Sequence, residues 1–255
     1  MANSTTTNAL AEEETRRLTD ADAIVHQALQ VEYAEMAPWY DKFWKPYLDQ
    51  TLLKPLALVR DAAAVPNKKT VRVADVACGT GVFLERLLVN QHTASNDDLA
   101  SKLIGVEPSL AMLNQARAKF PPPNDKVVEF HSAPAEYLPL ADKSVHVICS
   151  TNAFHFFTDK VRALAEMHRV LEKGGKLVIT DWCNDYLLVR LYHFLERVRW
   201  MKFKHRYPGP LGSKAMLELV KAAGFEQVYI ETYTVRFWFI ITWGMHTITA
   251  TKSTD

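Results

Sequence analysis

Residues 71–88 read VRVADVACGTGVFLERLL, that is, Val71-Arg72-Val73-Ala74-Asp75-Val76-Ala77-Cys78-Gly79-Thr80-Gly81 followed by Val82-Phe83-Leu84-Glu85-Arg86-Leu87-Leu88. The first part alternates as a strand, the second has helical spacing, and two glycines turn the chain between them. An acid, Asp75, stands at the carboxyl end of the strand. Glycine lets a backbone pass close to a ligand, and a strand–turn–helix unit of this kind cradles a nucleoside-containing cofactor. Dinucleotides and S-adenosylmethionine (SAM) compete for such a turn. A dinucleotide fingerprint requires a third glycine three positions after the second, and Leu84 stands there. A diphosphate site is therefore poorly supported.

Around this unit, apolar periodicity predicts alternating strands and helices. Strands are expected at Val71–Asp75, Lys102–Glu107, Lys126–His131, Val145–Ser150 and Lys176–Asp181, with helices at Val82–Asn90, Ser109–Phe120 and Asp159–Leu171. Lys173-Gly174-Gly175 is expected to cap the last of these helices. Ser213–Ala223 reads as a helix capped by Gly224, and Glu226–Val235 and Thr242–Thr251 as two final strands. The fold class that follows is α/β: a Rossmann-like, seven-stranded, mainly parallel sheet with a C-terminal β-hairpin and helices on both faces. Ligands of such sheets bind at the strand carboxyl ends.

Outside the core at 65–255, residues 1–19 are polar and acidic and read as a disordered tail, and 20–64 as an N-terminal helical lid with helices at Ala21–Glu35 and Lys42–Ala64. Gln91–Ala100 reads as a surface loop. An inserted helical segment at about 185–207 ends in Trp200-Met201-Lys202-Phe203-Lys204-His205-Arg206-Tyr207 and is the expected cover of a substrate site. Its interleaved cations and aromatics suit an anionic aromatic molecule, an RNA base or a membrane surface, against the plainer reading of a solvated helix with a buried apolar face.

The chain has 255 residues, 48% of them hydrophobic, and a formal net charge of +1. Near neutrality, with no nucleic-acid motif, gives no reason to expect a nucleic-acid partner. The richest apolar run, Phe237–Ile241, is far shorter than the roughly 20 residues of a membrane helix. Peripheral membrane contact stays open. Three scattered cysteines, Cys78, Cys149 and Cys183, fit neither a disulfide framework nor a zinc site, and a cytoplasmic setting is expected. No His/Asp/Glu group has metal-ligand spacing.

The run Asp75-Val-Ala-Cys-Gly79-Thr80-Gly81 resembles the first motif of the class I SAM-dependent methyltransferases, and the chain from about residue 36 onward resembles their ubiquinone/menaquinone group and its relatives. The resemblance implies SAM as cofactor. Asp75, Ala77, Gly79, Thr80 and Gly81 would hold its methionine end, and Glu107 with Pro108, Ser109 and Met112 its ribose and adenine; Met112 could equally be core. Ser132–Leu140 resembles the family's adenine segment, which implies contacts from Ala135 and Glu136 although Pro134 replaces the usual aspartate. Trp39-Tyr40-Asp41 looks like the element that places a tyrosine, here Tyr40, over the methionine portion, the alternative being a packing anchor. Asn152 and Ala153 would face the methyl-donor end, and His155 is the candidate general base, against a merely packed histidine. The acceptor would be a hydrophobic or aromatic small molecule. A SAM-binding scaffold or regulator is the alternative; a nicotinamide-dependent reductase, the third reading, lacks its glycine.

Overall fold

The computed structural model describes residues 30–64, 70–91, 102–124, 127–199, 209–237 and 241–254. The expected tail, most of the first lid helix, the Gln91–Ala100 loop beyond its first residue and the Trp200–Tyr207 octet lie outside them. After a helical segment at 30–36 come α1 (Tyr40–Thr51) and α2 (Leu53–Ala63). The core then runs β1 (Arg72–Val76), α3 (Val82–Gln91), β2 (Lys102–Val106), α4 (Leu110–Ala118), β3 (Val128–His131) and β4 (Val145–Thr151). It continues with a 3₁₀ turn (Phe154–Phe156), α5 (Lys160–Val170), β5 (Leu171–Trp182), α6 (Leu187–Arg199), α7 (Ser213–Ala222), β6 (Phe225–Phe237) and β7 (Ile241–Lys252).

The strands form one seven-stranded sheet in the order β3-β2-β1-β4-β5-β7-β6. The first five are mutually parallel, whereas β7 pairs antiparallel with both β5 and β6. Successive residues of a strand face opposite sides, so the sheet feeds two cores. Val73, Leu103, Val147 and Val178 pack with Leu56 and Val59 of α2 and Leu84 and Leu87 of α3. Ala74, Ile104, Ile148 and Ile179 pack with Leu164 and Met167 of α5 and Met216 and Val220 of α7. The register sets Asp75 level with Gly105 of β2 and Cys149 of β4, near the carboxyl edge of the parallel strands.

Three expectations are corrected. The single helix Lys42–Ala64 is two, joined at Leu52; Pro55 has no N–H to offer the carbonyl of Thr51, which removes one helical bond at the junction. Gly174 does not cap α5, which ends at Val170 with Leu171 already extended. Its positive φ of 75° falls inside β5, where the pairing with β4 shifts register. Finally, α6 does not bury its apolar stripe: Leu187, Leu188, Leu191, Phe194 and Leu195 are exposed, and Val189 on the other side is buried. No helix among the described residues is long and apolar enough to cross a membrane.

Candidate active site

A cleft open to solvent lies between the glycine turn, the start of α4, the Pro134–Glu136 segment, the end of β4 and the N-terminal helices.

The turn is fastened to the end of β2, since the N–H groups of Ala77 and Cys78 both donate to the carbonyl of Val106, at 2.7 and 3.1 Å. Ala77 takes a left-handed φ of 61° there, a conformation that costs a non-glycine residue about 1 kcal/mol. The two glycines have separate tasks. A Cβ built on Gly79 (φ +54°) meets nothing within 4 Å, whereas one on Gly81 (φ +76°) lies 3.1 Å from the Cβ of Ala116 in α4. Gly79 therefore keeps the cleft open, and Gly81 lets α4 approach the turn.

Glu107, buried, binds the turn to the next helix: one carboxylate oxygen accepts from the Gly79 N–H at 3.1 Å and the other from the Ser109 N–H at 2.9 Å. Ser109 caps α4 by accepting from the Met112 N–H. Burial pushes Glu107 up to about 7 despite those two donors. Asp75 is more extreme. It is 1% exposed, its Oδ1 lies 3.8 Å from the Cys149 thiol, and its Oδ2 has no hydrogen-bond partner among the described residues. Burial, reinforced by the neighbouring Glu107 and opposed by the Cys149 thiol, raises its carboxyl to about 8. A buried carboxylate with an unmet acceptor is a strong demand for a cation or a donor.

Helix α1 closes one side. The Thr80 hydroxyl donates to Asp41, the Lys119 ammonium reaches both Asp41 and the Thr80 carbonyl, and Tyr40 joins the wall. Further along, Tyr47 donates to the Asn152 side-chain oxygen at 2.9 Å and accepts from the Trp182 indole N–H at 2.7 Å, while the Asn152 amide donates to Thr51 at 3.0 Å. These bonds hold Asn152 at a left-handed φ of 56° at the end of β4. Tyr47→Phe should strip partners from Asn152 and Trp182 and cost about 1–3 kcal/mol of stability by thermal denaturation.

Of the residues singled out from sequence, Tyr40, Ala77, Gly79, Thr80, Glu107, Pro108, Ser109, Met112, Ala135, Glu136, Asn152 and Ala153 all line the cleft, as does Pro134. Three lie off its wall. Asp75 is behind the turn and Gly81 faces α4. His155 is 1% exposed, with Nδ1 2.6 Å from Asp181 and its ring stacked on Trp182 and packed against Phe156, whose own ring is on the wall. Glu136 lines the cleft yet is engaged elsewhere: one of its oxygens accepts from the N–H groups of Thr158 and Asp159 at the start of α5. Asp41, Tyr47, Thr51 and Lys119 escaped the sequence reading. Asp41 alone carried a signal, as the partner of Tyr40 in the Tyr-Asp element.

Residues 74–179 match the family described as a methyltransferase domain. The chain is 34% identical over 176 residues to a ubiquinone/menaquinone biosynthesis C-methyltransferase, UbiE, of Campylobacter jejuni, covering 62% of this chain and 72% of that protein. The chain belongs to the class I SAM-dependent methyltransferases. A demethylmenaquinone methyltransferase of Chlorobaculum parvum is 30% identical over 152 residues, covering 58% of this chain and 57% of that one. Among solved structures, a SAM-dependent methyltransferase of Thermotoga maritima shares the fold with a TM-score of 0.64 at 23% identity, over 87% of this chain and 98% of that one. SAM is thus the cofactor of this methyltransferase, and the site suits it. Asp75 offers an unmet buried carboxylate, and the turn leaves open space at Gly79. A cationic tail would suit the first, and a close-lying chain of atoms the second.

Proposed function

We propose that this methyltransferase acts on a hydrophobic, aromatic small molecule. The observation that carries this reading is the wall beyond the glycine turn, where Tyr33, Leu48, Leu52, Phe83, Phe156 and Phe157 present apolar and aromatic surface. Such a lining desolvates a ring and offers few groups that would select a polar acceptor. The names of the relatives, which speak of quinone biosynthesis, make phenols and quinols the first class to test.

When bound, SAM supplies an electrophilic methyl group on a positively charged sulfur, so the chain's main task is alignment. Asp75 and the backbone of Ala77, Gly79 and Thr80 hold the methionine end, with Gly81 setting the turn against α4. Glu107 takes the ribose hydroxyls, and Pro108, Ser109, Met112 and Ala135 flank the base, Glu136 fixing that segment to α5. Tyr40 covers the methionine portion, where an aromatic face favours positive charge. Asn152 and Ala153 stand at the methyl-donor end, Asn152 steadied by Tyr47 and Thr51.

His155 is assigned a positioning role, holding Phe156 in the wall from its pair with Asp181. His155→Asn should lower stability by about 1–3 kcal/mol and slow transfer, while leaving the pH profile of a single turnover unaltered in shape. A general base would instead lose the rise of rate with pH. The acceptor class is tested by incubating the protein with methyl-labelled SAM and a panel of phenols, quinols, amines and polar acids. Label should pass to the phenols or quinols; transfer confined to the polar acids would overturn the assignment.

A further inference from the structure

Two separate supports of the cleft wall meet on one side chain. Asn152, on the wall at the end of β4, accepts from the Tyr47 hydroxyl at 2.9 Å, and that hydroxyl accepts from the Trp182 indole N–H at 2.7 Å. Phe156, also on the wall, packs against the His155 ring with centroids 4.0 Å apart, and the His155 ring is stacked on Trp182 at 4.4 Å and 13°. Trp182 therefore touches what holds Asn152 and what holds Phe156 without standing on the wall itself. It reaches both because it ends β5, whose carboxyl end runs level with that of β4 and packs against the 3₁₀ turn that follows.

The indole is itself held in place. Trp243 and Tyr192 pack edge-on against its ring at 5.1 and 6.0 Å, and the bond to Tyr47 fixes the direction of its N–H. Tyr47 is buried, and burial keeps its hydroxyl well above the usual phenol range, so it remains protonated and donates to Asn152. The reaction gives such a chain of contacts a use. Methyl transfer needs the accepting atom in line with the breaking carbon–sulfur bond, and a misplacement of about 1 Å can cost about a hundredfold in rate. Donor end and acceptor wall must therefore keep one separation. We propose that Trp182 is a positioning residue that fixes this separation, tying Asn152, through Tyr47, to Phe156, through His155. The inference rests on the proposed placement of Asn152 at the methyl-donor end and of Phe156 on the acceptor wall.

The test is an NMR titration of the isotope-labelled full chain with S-adenosylhomocysteine, which requires no acceptor. Binding should shift both the Asn152 side-chain amide and the Trp182 indole N–H, the two signals being identified by their loss in Asn152→Asp and Trp182→Phe. In Tyr47→Phe, which keeps the ring and removes the hydroxyl, the Asn152 response should persist and the Trp182 response should vanish. An Asn152 signal that stays in place overturns the placement on which the proposal rests. An Asn152 signal that moves while Trp182 does not, or a Trp182 response that survives in Tyr47→Phe, overturns the proposal alone. A kinetic measurement stands beside it should Tyr47→Phe fold poorly. With methyl-labelled SAM and a phenol or quinol that takes label, Trp182→Phe should slow a single turnover at least tenfold and leave SAM affinity within twofold of the parent. Where both variants fold, their combination should be no slower than the slower single one, because they break the same chain. An unchanged rate, an equal loss of SAM affinity, or losses that multiply as those of independent packing defects do, would overturn the assignment.

Discussion

Gly79→Asn should weaken SAM binding by at least a hundredfold while leaving the melting temperature within a few degrees of the parent. Asparagine tolerates the left-handed φ that Gly79 adopts, so the backbone cost stays at or below about 1 kcal/mol. Its side chain, however, starts where a Cβ meets no protein atom within 4 Å and must grow into open space. That space is the ligand's in our reading. Gly81→Ala supplies the contrast: its Cβ would crowd Ala116 at a φ of +76°, so stability should fall while affinity in the surviving folded protein changes little. Calorimetric titration and thermal melts on both variants separate the two roles. An unchanged SAM affinity in Gly79→Asn would remove the turn from the cofactor site.

Asp75→Asn should both stabilise the ligand-free protein at pH 8 and weaken cofactor binding by roughly ten- to a hundredfold. The first effect follows from the direction of the shifts. Burial raises Asp75 to about 8 and Glu107 to about 7. Between the ordinary carboxylate values near ~4 and those raised values the folded chain binds more protons than the unfolded chain, so stability declines as pH rises across that window. Asparagine removes the Asp75 part of the decline and keeps an oxygen for the Cys149 thiol. The second effect is the loss of a charge-assisted bond, worth about 1.5–3 kcal/mol. A companion measurement uses S-adenosylhomocysteine, whose ammonium persists across the range. Its stabilisation of the parent protein should be larger at pH 8 than at pH 5.5, because binding draws both carboxyls into their ionised form, and the difference should shrink in Asp75→Asn. A pH-independent shift in the parent would exclude these carboxylates from the site.

The sheet was readable because each strand carries its own local pattern and each glycine turn its own punctuation. Val71–Gly81 predicts strand and turn from contiguous residues, and β1 with its turn follows it to within a residue. The long-range ties were hidden. Tyr47 and Asn152 are 105 positions apart, and Thr80 and Asp41 are 39 apart, so no local pattern announces their pairing. Glycines misled in a particular way: Gly81 and Gly79 look alike in sequence, and only the neighbouring Ala116 distinguishes them. Gly174 shows the same limit, since its left-handed φ serves a strand irregularity and not a helix end. The periodicity of α6 identified a helix with an apolar face, but period alone does not say which face the sheet takes. Val189 and Tyr192 won that place over the leucines.

The three cysteines carry a practical consequence. Cys78, Cys149 and Cys183 are all free and buried, and burial raises each thiol above its ordinary value, Cys183 to about 11. Thiolate is the species that alkylating reagents and oxidants attack, so the native protein is chemically quiet and each sulfur reacts only when its surroundings open. They report from three places: the glycine turn, the centre of the sheet and the root of α6. Labelling kinetics followed by mass spectrometry would thus time the local opening of the cofactor loop, the global unfolding of the core and the detachment of the helix in one unmodified chain.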